Sequence, residues 1–260
     1  VLMSGLAKFK KHNPIRGLMY RTHDAFKLES AEDIFGTPVG HRAVDTLRTR
    51  LFLNDNDAFK PFPLPAAVQF APTFGIAVED FDLDGSLDIA LCQGFTKFYG
   101  DTEPQANNSH LLLINRLATG GSFEVRRNSG IERNNTHPRV ISSGDFDGDN
   151  RPDLIIPSYG AGVRHYKNIT PGEGIKLQLT GDSLKLIGLK ARLRYRDGSQ
   201  GPLYEYTPKY GYRKEAANHF IFGIRAPVEA IEIIGLGELP VVPGQVAYTL
   251  PQLDKKTGQP

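Results

Sequence analysis

Cysteine is almost missing from this chain. Cys92 stands alone among 260 residues, so no intrachain disulfide can form and cysteine usage does not report the redox compartment. It reads as a small buried apolar residue in a strand. An excess of either charge is missing too: 31 basic against 29 acidic residues leave a net charge of +2, which generates no large field for nucleic acid or an anionic membrane surface. No apolar run approaches the ~18 residues that a spanning helix needs. The common catalytic signatures are absent as well. Histidines fall at 12, 23, 41, 110, 137, 165 and 219, with no His-Glu-x-x-His pair to predict a zinc site. There is no Gly-x-Ser-x-Gly elbow and no Gly-Lys-Ser/Thr phosphate loop. Nothing here supports catalysis, no catalytic residue is assigned, and His219, just ahead of an apolar strand, reads as a structural histidine.

What is present is ordinary globular material. Hydrophobic residues make up 40% and charged residues 23%, values that exclude a disordered or collagen-like chain, and the length predicts one or two domains. Because the chain starts at Val1, an upstream signal peptide or further domains are expected to precede it. Residues 1–50 read as a partly helical segment, with a helix start at Ser30-Ala31-Glu32-Asp33. Lys8, Lys10 and Lys11 read as a solvated face rather than a binding patch. From Leu51 the texture changes to short runs of Phe, Leu, Ile and Val punctuated by Gly, Pro, Asn and Asp, which predicts strands.

Two acidic stretches dominate this region: Asp80-Phe81-Asp82-Leu83-Asp84-Gly85-Ser86-Leu87-Asp88 and Asp145-Phe146-Asp147-Gly148-Asp149-Asn150-Arg151-Pro152-Asp153. Each places carboxylates at positions 1, 3, 5 and 9 and runs into an apolar strand. Four carboxylates within nine residues repel one another unless a hard cation sits among them, and Ca²⁺ takes six to eight oxygens in flexible geometry. The predicted ligands are Asp80, Asp82, Asp84 and Asp88 in one loop and Asp145, Asp147, Asp149 and Asp153 in the other. Backbone carbonyls near position 7, at Leu87 and Arg151, complete the two shells, for about two ions. An EF-hand is excluded, because position 12 holds Leu91 or Ile156 rather than Glu and a strand follows instead of a helix. Position 6 holds Gly85 or Asn150, which tolerate a left-handed backbone. The competing reading is a pair of acidic turns whose Asp side chains cap local backbone groups. The repetition favours an ion with a structural role, whose binding free energy becomes folding free energy.

The loops lie 65 residues apart inside a longer repeat. Leu51-Phe52-Leu53-Asn54 matches Leu112-Leu113-Ile114-Asn115, Phe59-Lys60-Pro61-Phe62 matches Phe123-Glu124-Val125, and Val163 to Asn168 is expected to open a third unit. Repeated four-stranded units at such a period read as propeller blades. After Thr170-Pro171-Gly172-Glu173-Gly174 the pattern becomes one of alternating strands such as Ile175–Leu179, Ala191–Tyr195 and Val228–Ile233, the mark of an antiparallel sandwich.

With Phe74-Gly75-Ile76-Ala77 ahead of the first loop, residues 51 to 168 resemble the FG-GAP or VCBS repeats of integrin-type β-propellers. The remainder resembles the ASPIC/UnbV domain that follows such repeats in cartilage acidic protein and many bacterial secreted proteins. The matching stretches are Ile175–Leu179, Ile187–Ala191, Tyr210–Tyr212, His219–Ile224 and Val228–Ile233. The family's usual Trp-Pro-x-Gly ending is replaced by Ile234-Gly235-Leu236-Gly237, and tryptophan is absent altogether. Three regions are therefore expected: 1–50, 51–170 as repeats, and 171–260 as a small β domain.

Propellers close with four to eight blades, so two blades and part of a third predict cover from a longer chain, from the N-terminal segment, from the sandwich or from a protein partner. The expected function is a calcium-binding, non-enzymatic interaction or adhesion module outside the cytoplasm, secreted or periplasmic, serving as an accessory or structural subunit. The alternative is a carbohydrate-active enzyme or its substrate-binding part. Tyr195, Tyr204, Tyr206, Tyr210 and Tyr212 are read either as a protein or sugar contact or as cover for a sheet face. The sequons at Asn107, Asn134 and Asn168 are glycan acceptors or chance occurrences.

Overall fold

From Leu51 onward short apolar runs, alternating in places such as Lys190–Tyr195, are set between Gly, Pro, Asn and Asp, and the computed structural model accordingly builds strands there. It describes residues 48–55, 58–94, 110–132, 137–138, 140–159, 162–181, 183–207 and 217–250, all within one compact unit. The predicted helix start at Ser30, the basic cluster at Lys8 to Lys11, Tyr210, Tyr212, Asn107 and Asn134 lie outside the described residues. The described fold is mainly β with one short α-helix. Among the described residues no helix is long and apolar enough to cross a membrane.

A hairpin comes first, of β1 (Leu51–Asp55) and β2 (Ala58–Phe62). The next sheet is a four-stranded antiparallel meander of β3 (Thr73–Glu79), β4 (Asp88–Gln93), β5 (His110–Asn115) and β6 (Phe123–Val125). In the following sheet β7 (His137–Pro138) and β8 (Ser142–Gly144) both pair one side of β9 (Asp153–Tyr159), and β10 (Gly162–Tyr166) pairs the other. Val163 to Tyr166 thus close the second sheet instead of opening a third unit, because a short connection after Tyr159 makes antiparallel return onto β9 the least costly pairing. Each acidic loop joins the equivalent strands of its sheet, β3 to β4 and β8 to β9.

The rest is a two-layer sandwich. One layer holds β11 (Ile175–Gln178). After α1 (Ser183–Leu186), the chain forms β12 (Lys190–Tyr195) and β13 (Tyr204–Glu205) in the other layer. It then returns through β14 (His219–Phe222), β15 (Val228–Ile233), β16 (Gly237–Pro240) and β17 (Ala247–Thr249). The orders are β14-β11-β17 and β13-β12-β15-β16. One pair departs from the expected antiparallel arrangement: β17 runs parallel to β11. Strand β12 alternates as predicted, with Ala191, Leu193 and Tyr195 inward. Its outward Arg192 pairs Glu232 at 2.6 Å and Arg194 pairs Glu238 at 2.7 Å.

Among the described residues three apolar clusters result. Leu177, Leu193, Phe220, Phe222 and Ile231 fill the sandwich. Ala77, Ala90, Cys92, Ile141, Leu154 and Ile156 fill the space between the two repeat sheets. Leu111, Leu113 and Phe123 pack beneath the first hairpin, where Phe62 meets Phe123 edge-on at 6.2 Å. Each fully buried Leu, Ile or Phe contributes about 1.5–3 kcal/mol. Gly75 sets the spacing of the repeat sheets, since a Cβ there would lie 2.5 Å from Cys92 Sγ and 2.9 Å from the Ile141 backbone nitrogen.

His110 is wholly buried on β5. Burial, aided by the Arg164 charge, pushes its pKa down from 6.5 to about 4. The folded state therefore resists a proton that the unfolded chain accepts, so this residue's contribution is intact above pH 6.5 and is lost as pH falls toward 4. Denaturant titrations of wild type and His110→Gln should show a stability difference that shrinks over that window by up to about 3 kcal/mol. A pH-independent difference would contradict it.

Candidate metal centre

The two acidic loops fold alike because their position 1 and position 9 carboxylates take the same backbone donors. Asp80 accepts the N–H of Asp84 at 3.0 Å and of Gly85 at 2.7 Å. Asp145 accepts those of Gly148, Asp149 and Asn150 at 2.7, 3.1 and 3.2 Å. Asp88 accepts from Phe81 at 3.0 Å, as Asp153 does from Phe146 at 3.3 Å. Both loops turn left-handed at positions 4 and 6: φ is 58° at Leu83 and 85° at Gly85, and 85° at Gly148 and 60° at Asn150. The expected tolerance at position 6 is used, and Leu83 accepts at position 4 a backbone that costs a non-glycine residue about 1–2 kcal/mol.

An asparagine at the end of the third strand clamps each loop. Asn115 donates its backbone N–H to Asp88 at 2.8 Å and its side-chain amide to the Leu87 carbonyl at 3.0 Å. Asn168 does the same to Asp153 at 2.7 Å and to the Pro152 carbonyl at 3.2 Å. It also donates to the Phe81 carbonyl of the first loop at 3.0 Å. A glycan on Asn168 would have to break these bonds, which argues against that sequon as an acceptor.

Ligand atoms of Asp80, Asp82 and Asp88 lie within 4.8 Å of one another, as do those of Asp145, Asp147 and Asp149, and either group could hold a metal ion. Of the other predicted ligands, Asp84, Asp153 and the Leu87 carbonyl have bonds of their own. Asp84 binds Arg116 at 2.7 Å. Asp153 is buried among its donors and lies 3.2 Å from His165 Nε2. The Leu87 carbonyl is held by Asn115. At Arg151 it is the side chain, not the predicted carbonyl, that bonds Asp149 at 2.8 Å and the Gly172 carbonyl at 2.9 Å.

The loops differ in electrostatics. Burial, opposed by backbone donors and reinforced by neighbouring carboxylates, pushes Asp80 and Asp88 up to about 7. Asp82 Oδ1 is buried without a hydrogen-bond partner, so the first group has an oxygen that a cation would satisfy. In the second loop burial is outweighed. Lys176 at 2.8 Å and the loop's own N–H groups hold Asp145 below its ordinary range, and Lys167 and Arg151 do so for Asp149. Positions 3 and 5 share one cation in each loop: Arg116 bridges Asp82 and Asp84, and Lys167 bridges Asp147 and Asp149.

Both loops also press on the sandwich. A Cβ on Gly223 would lie 1.9 Å from Asp80 Oδ2, and Leu87 packs against the sandwich core. In the second loop the Asp145 N–H donates to His219 Nε2 at 3.0 Å, and Gly174 donates to the Asn150 carbonyl at 3.2 Å. His219 is the structural residue expected, kept neutral by burial and by Lys176, which push its pKa to about 4. Tyr195, Tyr204 and Tyr206 are buried in the sandwich and present no contact surface. Nothing in the sequence marks Arg116, Lys167, Lys176 or Gly223 for these roles; only the Asn ending each matched strand signals the clamps.

A scan against protein-family models and a search of the curated proteins each find no match for this chain.

Gly223→Ala should destabilise the protein by about 1–3 kcal/mol in urea titration, because the methyl meets a buried loop that cannot move aside. Gly201→Ala, whose nearest neighbour would be 3.5 Å away, should stay within about 0.5 kcal/mol. Equal effects would show that the loop yields.

Proposed function

We propose that this chain is a calcium-stabilised, non-catalytic interaction module of the FG-GAP/VCBS kind with an ASPIC/UnbV-like sandwich, working outside the cytoplasm as an accessory or structural subunit. The observation that carries this is the position of two acidic groups between the repeat sheets and the sandwich, where an ion in each would join both layers. The donor set is oxygen alone, which suits a hard cation better than zinc or copper. Asp80, Asp82 and Asp88 would hold one ion and Asp145, Asp147 and Asp149 the other. The orphaned Asp82 oxygen supports the first site. At the second, Lys167 and Lys176 would have to yield, so its affinity would be the lower.

Calcium present outside cells at millimolar levels matches loops of modest affinity. At ten times its dissociation constant, one ion adds about 1.4 kcal/mol of stability, about 3–6 °C in Tm for a domain of this size. Melting in 2 mM Ca²⁺, roughly the free concentration such modules meet, should exceed melting in EGTA by that amount, with Mg²⁺ less effective. Asp82→Ala should abolish most of the difference. An identical Tm in calcium and chelator, unaltered by Asp82→Ala combined with Asp147→Ala, would overturn the assignment.

A further inference from the structure

The first hairpin repeats the outer half of the sheet that follows it, residue for residue. Asn54 lies opposite Phe59 in β1–β2, as Asn115 lies opposite Phe123 in β5–β6. Leu53 faces Lys60 where Ile114 faces Glu124, and Phe52 faces Pro61 where Leu113 faces Val125. The surroundings are unlike. The edge of β5 is paired by β4, whereas β1 pairs only β2 among the described residues. Leu113 and Phe123 are 0% and 5% exposed, while their counterparts Phe52 and Phe59 are 47% and 74% exposed. Asn115 and Asn168 each clamp the acidic loop of the strand beside them, but the Asn54 side chain makes no hydrogen bond among the described residues.

We propose that the β1 edge receives a further repeat unit, a strand–acidic loop–strand segment with the pattern Asp-x-Asp-x-Asp-x-x-x-Asp followed by apolar residues. Its last Asp accepts the Asn54 N–H and its position 8 carbonyl accepts the Asn54 amide, while the neighbouring layer of that unit covers Phe52 and Phe59. The chain's own two loops are both clamped already, and no third Asp-x-Asp-x-Asp run occurs in the 260 residues, so the segment comes from outside them. The inference rests on the repeat-module reading but not on calcium: Asn115 and Asn168 hold their aspartates through hydrogen bonds that need no ion.

The test uses the full chain and, as probe, a synthetic peptide of residues 73–93, the chain's own strand–loop–strand unit. The peptide should bind saturably and slow amide exchange across Leu51–Asp55. Asn54→Ala in the protein, or Asp88→Ala in the peptide, should each weaken binding about fivefold, the value of one hydrogen bond. Combining them should weaken binding by about the product of the two effects, since Asn54→Ala removes the amide bond to the position 8 carbonyl and Asp88→Ala removes the acceptor of the Asn54 N–H. Protection elsewhere, no protection, or protection indifferent to both changes would overturn the proposal. So would concentration-dependent dimerisation that protects β1 without peptide, because the occupant would then be a second copy of this chain. Protection at β1 that survives EGTA, in a protein whose Tm ignores calcium, would sink the calcium assignment and leave this one standing.

Discussion

A buried carboxylate must be surrounded by donors, and four of them in this chain set the geometry of everything nearby. Asp80, Asp88, Asp145 and Asp153 are each 0–1% exposed by residue or side chain, and each collects backbone N–H groups from its own loop. Removing such a group leaves several donors unsatisfied at once, at about 1–3 kcal/mol each. The loops therefore keep one shape. Because that shape is fixed, it can serve as a floor against which Gly223, Leu87, Lys176 and His219 are fitted. The layers meet at a polar point, an arrangement that works because its buried carboxylates are paired almost throughout, with Asp82 Oδ1 the exception.

Pairing is uneven between the two loops, and the cause lies in which cations the chain brings to them. Lysines 167 and 176 reach the second loop from the strands that flank the boundary between repeats and sandwich. Among the described residues only Arg116 forms ion pairs with the first, and it touches Asp82 and Asp84 rather than the deeper Asp80 and Asp88. Desolvation thus falls on the first pair with backbone donors but no paired cation to offset it. Two loops of one pattern have become chemically distinct through residues far from either.

Local periodicity explains what was legible in the sequence. Carboxylates at positions 1, 3, 5 and 9 and left-handed candidates at position 6 are properties of nine consecutive residues, and alternation along Lys190–Tyr195 is a property of six. These survived into the structure. What could not be read was tertiary: which carboxylates converge, that Leu87 gives its carbonyl to an asparagine, that Tyr204 and Tyr206 turn inward, that β17 lies parallel to β11. The repeat was visible, but its phase was not. A strand followed by a hairpin turn and a strand followed by a loop look equally good as a beginning, so Val163 to Asn168 read as an opening when it is a close.

Asn168 reaches back 87 positions to the Phe81 carbonyl, and Thr170 does the same across 89. The first acidic loop is therefore complete only after the second sheet exists. During synthesis the ribosome releases Asp80–Asp88 long before the residues that finish it, so the most strongly desolvated carboxylates of the protein spend their early life in water, charged and open. Long-range closure of this sort is slow compared with local hairpin formation. Residues at the end of the second repeat thereby seal the first loop.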